Sequence, residues 1–235
     1  MSIWTHLKGH WQLLVLVALV FALWTTPVIL PLKILVVFLH EASHALAALL
    51  TGGSVDEMSL SIAEGGHVIS RGGNLFLIIS AGYLGSLLLG VILFVIALQT
   101  RADRPMVGFL GVMMIGLALI YMREIFPLVF CLGVGAALLA TARYLDHRIS
   151  DLVLRVIGLT SMIYVPYDIF SDTILRSSLR SDARIMAEMI GGPTLFWGVI
   201  WLIISVVIVG AVARYFLKVP SNISFQFPRL KSAKR

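Results

Sequence analysis

The chain has 235 residues and a net charge of +6; 59% of the residues are hydrophobic and only 13% charged, against about 25% charged in a soluble globular domain. Long apolar runs in such a chain exclude a soluble globular protein and imply a polytopic membrane protein, because a bilayer-spanning helix takes roughly 20 mostly apolar residues. The basic residues lie mainly in short loops and the tail, so topology and anionic headgroups account for them; the lipid bilayer is the expected partner and nucleic acid is not.

The first apolar run, residues 11–30, follows Lys8 and has the flank of a signal peptide, but no small-residue cleavage site closes it, and it reads as a retained span. Pro27 and Pro31 punctuate the chain, and a second helix is expected over about 32–50, stopped by Thr51-Gly52-Gly53. Residues 54–73 are too polar to span. Met58, Leu60 and Ile62 alternate, Gly65-Gly66 turns the chain, and Val68 and Ile69 follow: a short β-hairpin, re-entrant if it reaches membrane depth. Further spans are expected at 74–98, 106–121, 125–144, 152–168 and 194–216. In the first of these, Gly82, Ser86 and Gly90 fall four apart, a spacing that lets helices approach closely in lipid. Cys131 is the single cysteine, lies in an apolar run, and reads as a buried hydrophobe. His6, His10 and His147 read as interfacial.

The expected fold is therefore an all-α polytopic membrane protein of about six to seven transmembrane helices with a short re-entrant hairpin. One integral-membrane domain covers 1–217, with its core at 33–98 and 152–180, and a basic tail covers 218–235. Lys218, Arg229, Lys231, Lys234 and Arg235 place that tail in the cytoplasm.

Within the second span stands "HEASH", residues 40–44. On a helix, positions four apart lie about 40° apart around the axis and roughly 6 Å along it, so His40 and His44 can share one metal ion. Glu41 points beside that ion, where a water would sit. Two imidazole ligands and a carboxylate base are what metal-assisted hydrolysis needs. Ionisable groups inside spans are costly and mark functional sites, although two histidines can also serve a polar helix contact.

A catalytic zinc site usually has a third protein ligand. The best segment is "SMIYVPYDIFSDTILRSSLR", residues 161–180, where Asp168 follows Pro166 at the end of an apolar run. Asp172 lies four residues on; it is either an alternative ligand, a supporting group, or the partner of Arg176 in a surface ion pair. Glu64 and His67, in the hairpin turn, are weaker candidates. Arg176, Arg180 and Arg184 suggest a basic face at headgroup level.

These residues resemble the site-2 protease family of intramembrane zinc metallopeptidases, and more narrowly its small branch in bacterial and plant membrane proteins. "FLHEASHALAALLTGG" resembles the zinc-binding helix running into its Gly-Gly turn, "ISAGYLGSLLLG" the small-residue helix beside the active site, and "YVPYDIFSDT" the later helix that supplies an aspartate. The resemblance implies zinc held by His40, His44 and Asp168, with Glu41 activating water. It departs from the family at Tyr83 and Ser86, where members often carry Ala-Gly-Pro and a later asparagine. It departs again at Tyr167-Asp168-Ile169, where Leu-Asp-Gly is usual. No PDZ-like module is expected from these residues.

The expected function is that of a membrane-embedded zinc endopeptidase acting on a membrane protein substrate, in a bacterial inner membrane. Two rivals stay open: a metal or proton transporter, which would still carry flux when Glu41 is replaced by glutamine, and a silent relative that binds metal and membrane partners without cutting them.

Overall fold

The computed structural model of the protein describes residues 3–177 and 179–223. Most of the expected basic tail, from residue 224 onward, lies outside the described residues.

In chain order the elements are α1 (Ile3–Leu23), α2 (Leu30–Leu50), β1 (Ser54–Leu60), β2 (Gly66–Arg71), α3 (Leu75–Gln99), α4 (Asp103–Tyr121), α5 (Ile125–Tyr144), α6 (His147–Phe170), a π-helical turn (Ser171–Leu175), α7 (Asp182–Ile190) and α8 (Thr194–Phe216). Among the described residues six helices are long and apolar enough to cross a membrane: α2, α3, α4, α5, α6 with its π turn, and α8. The apolar stretch of α1, Leu7–Leu23, is shorter. The fold is an all-α polytopic membrane fold with one small hairpin.

α3 is the central post, with α2 packed on one side and α6 on the other. The small residues seen in its sequence make this possible: Ser161 Oγ of α6 donates to the Ser86 carbonyl of α3 at 2.9 Å. At the same crossing Gly90 faces Ser161, and Gly158 faces the backbone of Gly90. α4 and α5 form an outer pair that reaches the bundle mainly through α4.

α2 begins with Pro31 in its first turn, where a missing N–H costs nothing, and ends at Thr51 and Gly52, the latter with φ +84°. The chain then folds back along α2 as the β1–β2 hairpin. Ser54 pairs with Arg71 at its base and Leu60 with Gly66 at its tip, with one irregularity between Val55 and Glu57. At the base, Gly53 approaches the Ala48 carbonyl; at the tip, Glu64 pairs with Lys33. The hairpin thus runs antiparallel to α2 for most of its length and passes the level of the HEASH turn. Met58 and Leu60 are buried, as their alternation implies, whereas Ile62 belongs to the tip and is exposed.

At the opposite end of the bundle, residues 220–223 close over α1. Gln12 and Ile223 exchange two hydrogen bonds (3.0 and 2.6 Å), and Asn222 Nδ2 donates to the Lys8 carbonyl at 2.7 Å. His10 is buried against Ser221 rather than interfacial, its Nδ1 2.7 Å from the serine hydroxyl; His147 is exposed. Arg155, buried on α6, bonds both Asp151 and the Ser221 carbonyl. Cys131 is buried and unpaired, as expected.

Candidate metal centre

The HEASH turn lies on the face of α2 turned toward α3, and Glu41 and His44 are buried. His44 Nδ1 is 2.7 Å from the Ile78 carbonyl of α3. A carbonyl only accepts, so Nδ1 carries the hydrogen and Nε2 is left with its lone pair. Fixing the tautomer in this way is the usual preparation of a metal-binding imidazole. His40 and His44 bring their Nε2 atoms to 3.1 Å from each other.

The third group is Asp182, the first residue of α7. Ser181 caps that helix, its hydroxyl accepting from the Arg184 amide at 3.3 Å, and the cap turns the Asp182 side chain inward. Asp182 Oδ2 lies 3.0 Å from His40 Nε2 and 3.2 Å from His44 Nε2. Despite these approaches it is a buried oxygen without a hydrogen-bond partner of adequate geometry. Three donor atoms converge on one point. Their separations of 3.0–3.2 Å compare with the roughly 3.3 Å between ligands set tetrahedrally at ~2.0–2.1 Å from zinc. Among the described residues this is the one group of at least three His, Cys, Asp or Glu side chains that can hold a metal ion.

Space for an ion comes from α3. A Cβ built on Gly82 would fall against His40 Nε2, His44 Nε2 and Asp182 Oδ2 together. The glycine keeps open the place where the three donors meet. Burial opposes charge on Asp182, but His44 and His40, when protonated, hold its carboxyl well below the usual carboxylate range. The donor set of two imidazoles and one ionised carboxylate suits zinc, and it fits.

The model of one family, described as Peptidase M50B-like, matches residues 13–212, which is most of the chain. The chain belongs to the Peptidase M50B-like family. This is the site-2 protease family of intramembrane metallopeptidases, zinc-dependent in general. No curated protein and no solved structure matches the chain.

In this M50B-like chain His40, Glu41 and His44 stand where their spacing puts them, and the third donor beside the imidazoles is Asp182 rather than Asp168. Asp168 is held at the end of α6 with Arg176 Nη2 at 3.5 Å from its Oδ1. Asp172 pairs with the same guanidinium at 2.9 Å, the i,i+4 ion pair that the sequence left open. It also accepts from the Tyr83 hydroxyl at 2.6 Å. The Tyr83 ring stands edge-on to His40, centroids 5.1 Å apart, and links this carboxylate cluster to the metal centre. Glu64 and His67 remain in the hairpin, apart from the donors.

Glu41 lies against the hairpin. A Cβ on Gly66 would overlap Glu41 Oε1 and the Ser59 carbonyl, so the glycine lets the strand pass directly over the carboxylate. Asp182 was missed in the sequence because "SDAR" looks like a helix start, with Ser as cap and Asp as first-turn acid. The available signal was an acid just past a π-prone, proline-bearing helix end, fourteen residues beyond Asp168.

Proposed function

We propose that the protein is a zinc-dependent, membrane-embedded endopeptidase that cuts a transmembrane or membrane-proximal segment of a protein substrate. The observation that carries this reading is the meeting of His40 Nε2, His44 Nε2 and Asp182 Oδ2 within 3.2 Å of one another, on the helical turn that also carries Glu41. His40, His44 and Asp182 would hold the ion, with Asp168 and Asp172 supporting from behind Tyr83. A divalent ion held there supplies Lewis-acid polarisation of a peptide carbonyl and acidifies water.

The chain's own residues do the rest. Glu41, buried at 4% exposure and one position along from a ligand, takes the proton of the attacking water and returns it to the leaving amine. His44 is held in the right tautomer by the Ile78 carbonyl. A helical substrate hides its carbonyls in its own hydrogen bonds, so the segment to be cut must be extended. Among the described residues β2 pairs only with β1 in a two-stranded sheet, and its outer edge offers backbone N–H and C=O groups to such a strand.

The test uses the purified chain in nanodiscs with a single-span reporter, with zinc measured on the same samples. Wild type is expected to bind about one zinc and cut the reporter, and Glu41→Gln to keep the zinc and lose cleavage by at least about a hundredfold. Cleavage by Glu41→Gln at the wild-type rate, or wild type without bound metal, overturns the reading. Stoichiometric zinc with no cleavage favours a binding relative, and zinc flux that survives Glu41→Gln in sealed proteoliposomes of the same chain favours a transporter.

A further inference from the structure

Glu64, at the hairpin tip, has a left-handed backbone with φ 61°, which no other non-glycine residue shares among the described residues. Such strain persists only where the surroundings hold it. The holding contact is an ion pair: Glu64 Oε1 lies 3.1 Å from Lys33 Nζ. Lys33 is in the first turn of α2 with its side chain only 8% exposed, against 33% for Glu64. Its ammonium also lies over the Trp24 ring, 4.6 Å from the centroid, and Trp24 packs edge-on against Tyr167 of α6 and tilted against Tyr164. A charge built into an apolar wall has thus been given one carboxylate, and that carboxylate comes from the hairpin.

The two strands are anchored unequally. β1 buries Met58 and Leu60, and Ser59 Oγ donates to Glu124 Oε2 at 2.7 Å. β2 has no fully buried residue. Beyond the ladder, the tip is tied down by Glu64, and two residues later Gly66 lies on the Glu41 carboxylate.

We propose that the Lys33–Glu64 pair is a latch that holds the hairpin tip over Glu41, and that both are positioning residues rather than metal ligands. With the latch closed, Gly66 covers Glu41 and fixes where β2 presents its free edge. Opening it leaves Lys33 buried without its counter-charge, so the closed arrangement is strongly favoured. The conformational claim stands alone; its consequence for cleavage rests on the peptidase reading.

The experiment is amide hydrogen exchange over residues 61–68 of the zinc-loaded full chain in nanodiscs, with Glu64→Gln, Lys33→Met and the double variant. Each single variant is expected to speed exchange at the tip by at least about tenfold, the double variant no more than the worse single, with α3 exchange and bound zinc unchanged. Unchanged tip exchange in Glu64→Gln, effects that add in the double variant, or loss of zinc from Glu64→Gln overturns the latch. If Lys33→Met does not fold, Lys33→Arg must retain tip protection and Glu64→Gln alone must lose it. Reporter cleavage separates the two layers: Glu64→Gln is expected to slow it, and undiminished cleavage with a loosened tip removes the functional half. Wild-type cleavage by Glu41→Gln would instead remove the peptidase reading and leave the exchange result standing.

Discussion

The two halves of the metal centre are built differently. His40, Glu41 and His44 come from one turn of a long, mostly buried helix, and their relation follows from helical geometry alone. The carboxylate half comes from a helix end containing Pro166, a π-helical turn, a loop and the first residue of the nine-residue α7. Three aspartates lie along that path, and only the last meets the imidazoles. A regular helix transmits direction from one residue to the next; a wide turn and a loop erase it. The helical half is rigid by construction, whereas the carboxylate half is correct only while α7 stays docked through buried Ala183 and Met186.

The largest effect follows from removing donors one at a time. His44→Ala and Asp182→Ala should each weaken zinc binding by more than about a hundredfold, while Asp168→Ala should keep it within about threefold of wild type. Metal content after dialysis against graded zinc buffers measures this. Asp182→Ala should also free α7, raising amide exchange over 182–190 without disturbing α2. If Asp168→Ala loses zinc and Asp182→Ala retains it, the contrast between the two halves is reversed and the family's helix-borne aspartate holds after all.

The fold was legible because its signals are periodic and local. Apolar length marked the six spans and also a seventh at 11–30, where the helix stops at Leu23 and its apolar stretch is shorter; Thr51-Gly52-Gly53 marked the end of α2, and the alternation of Met58 and Leu60 the buried side of β1. The Gly82, Ser86 and Gly90 stripe announced close packing on α3, and Ser86 and Gly90 do meet α6. Gly82 has another role, which spacing does not reveal: it leaves room for three side chains drawn from two other elements. Asp182 was hidden for the same reason. Its partners are 138 or more positions earlier in the chain, and nothing in "SDAR" distinguishes a first-turn acid that faces solvent from one that faces two imidazoles. His10 was misjudged because its burial depends on Ser221, at the far end of the sequence.

Gly82→Ala sharpens the comparison from the side of the scaffold. Its methyl group would enter the point where all three donors converge, and a helical backbone cannot retreat without disturbing the α3–α6 crossing. The helical half should keep its geometry and the α7 half should yield, because the short helix is the less anchored. Zinc affinity is expected to fall by about ten- to a hundredfold, less than on losing a ligand outright, with exchange increasing over 182–190 rather than over α2. Equal loosening of both helices would show that α7 is as firmly held as the bundle.

The smallest effect tests whether the cluster behind Tyr83 belongs to the centre or merely borders it. Tyr83→Phe removes the donor to Asp172 Oδ2 but leaves the ring against His40 and Trp201. Asp172 keeps Arg176 at 2.9 Å and is partly exposed, so its carboxylate is not stranded. The loss should be that of one hydrogen bond to a charged acceptor, about 1–2 kcal/mol, seen as a thermal midpoint lowered by roughly 3–6 °C. Bound zinc should not change, because the aromatic contact that seats His40 survives. A variant that melts normally yet releases zinc would mean that the hydroxyl, through Asp172, holds the ligands in place. The boundary between the two halves would then fall at the π-helical turn and not at α7.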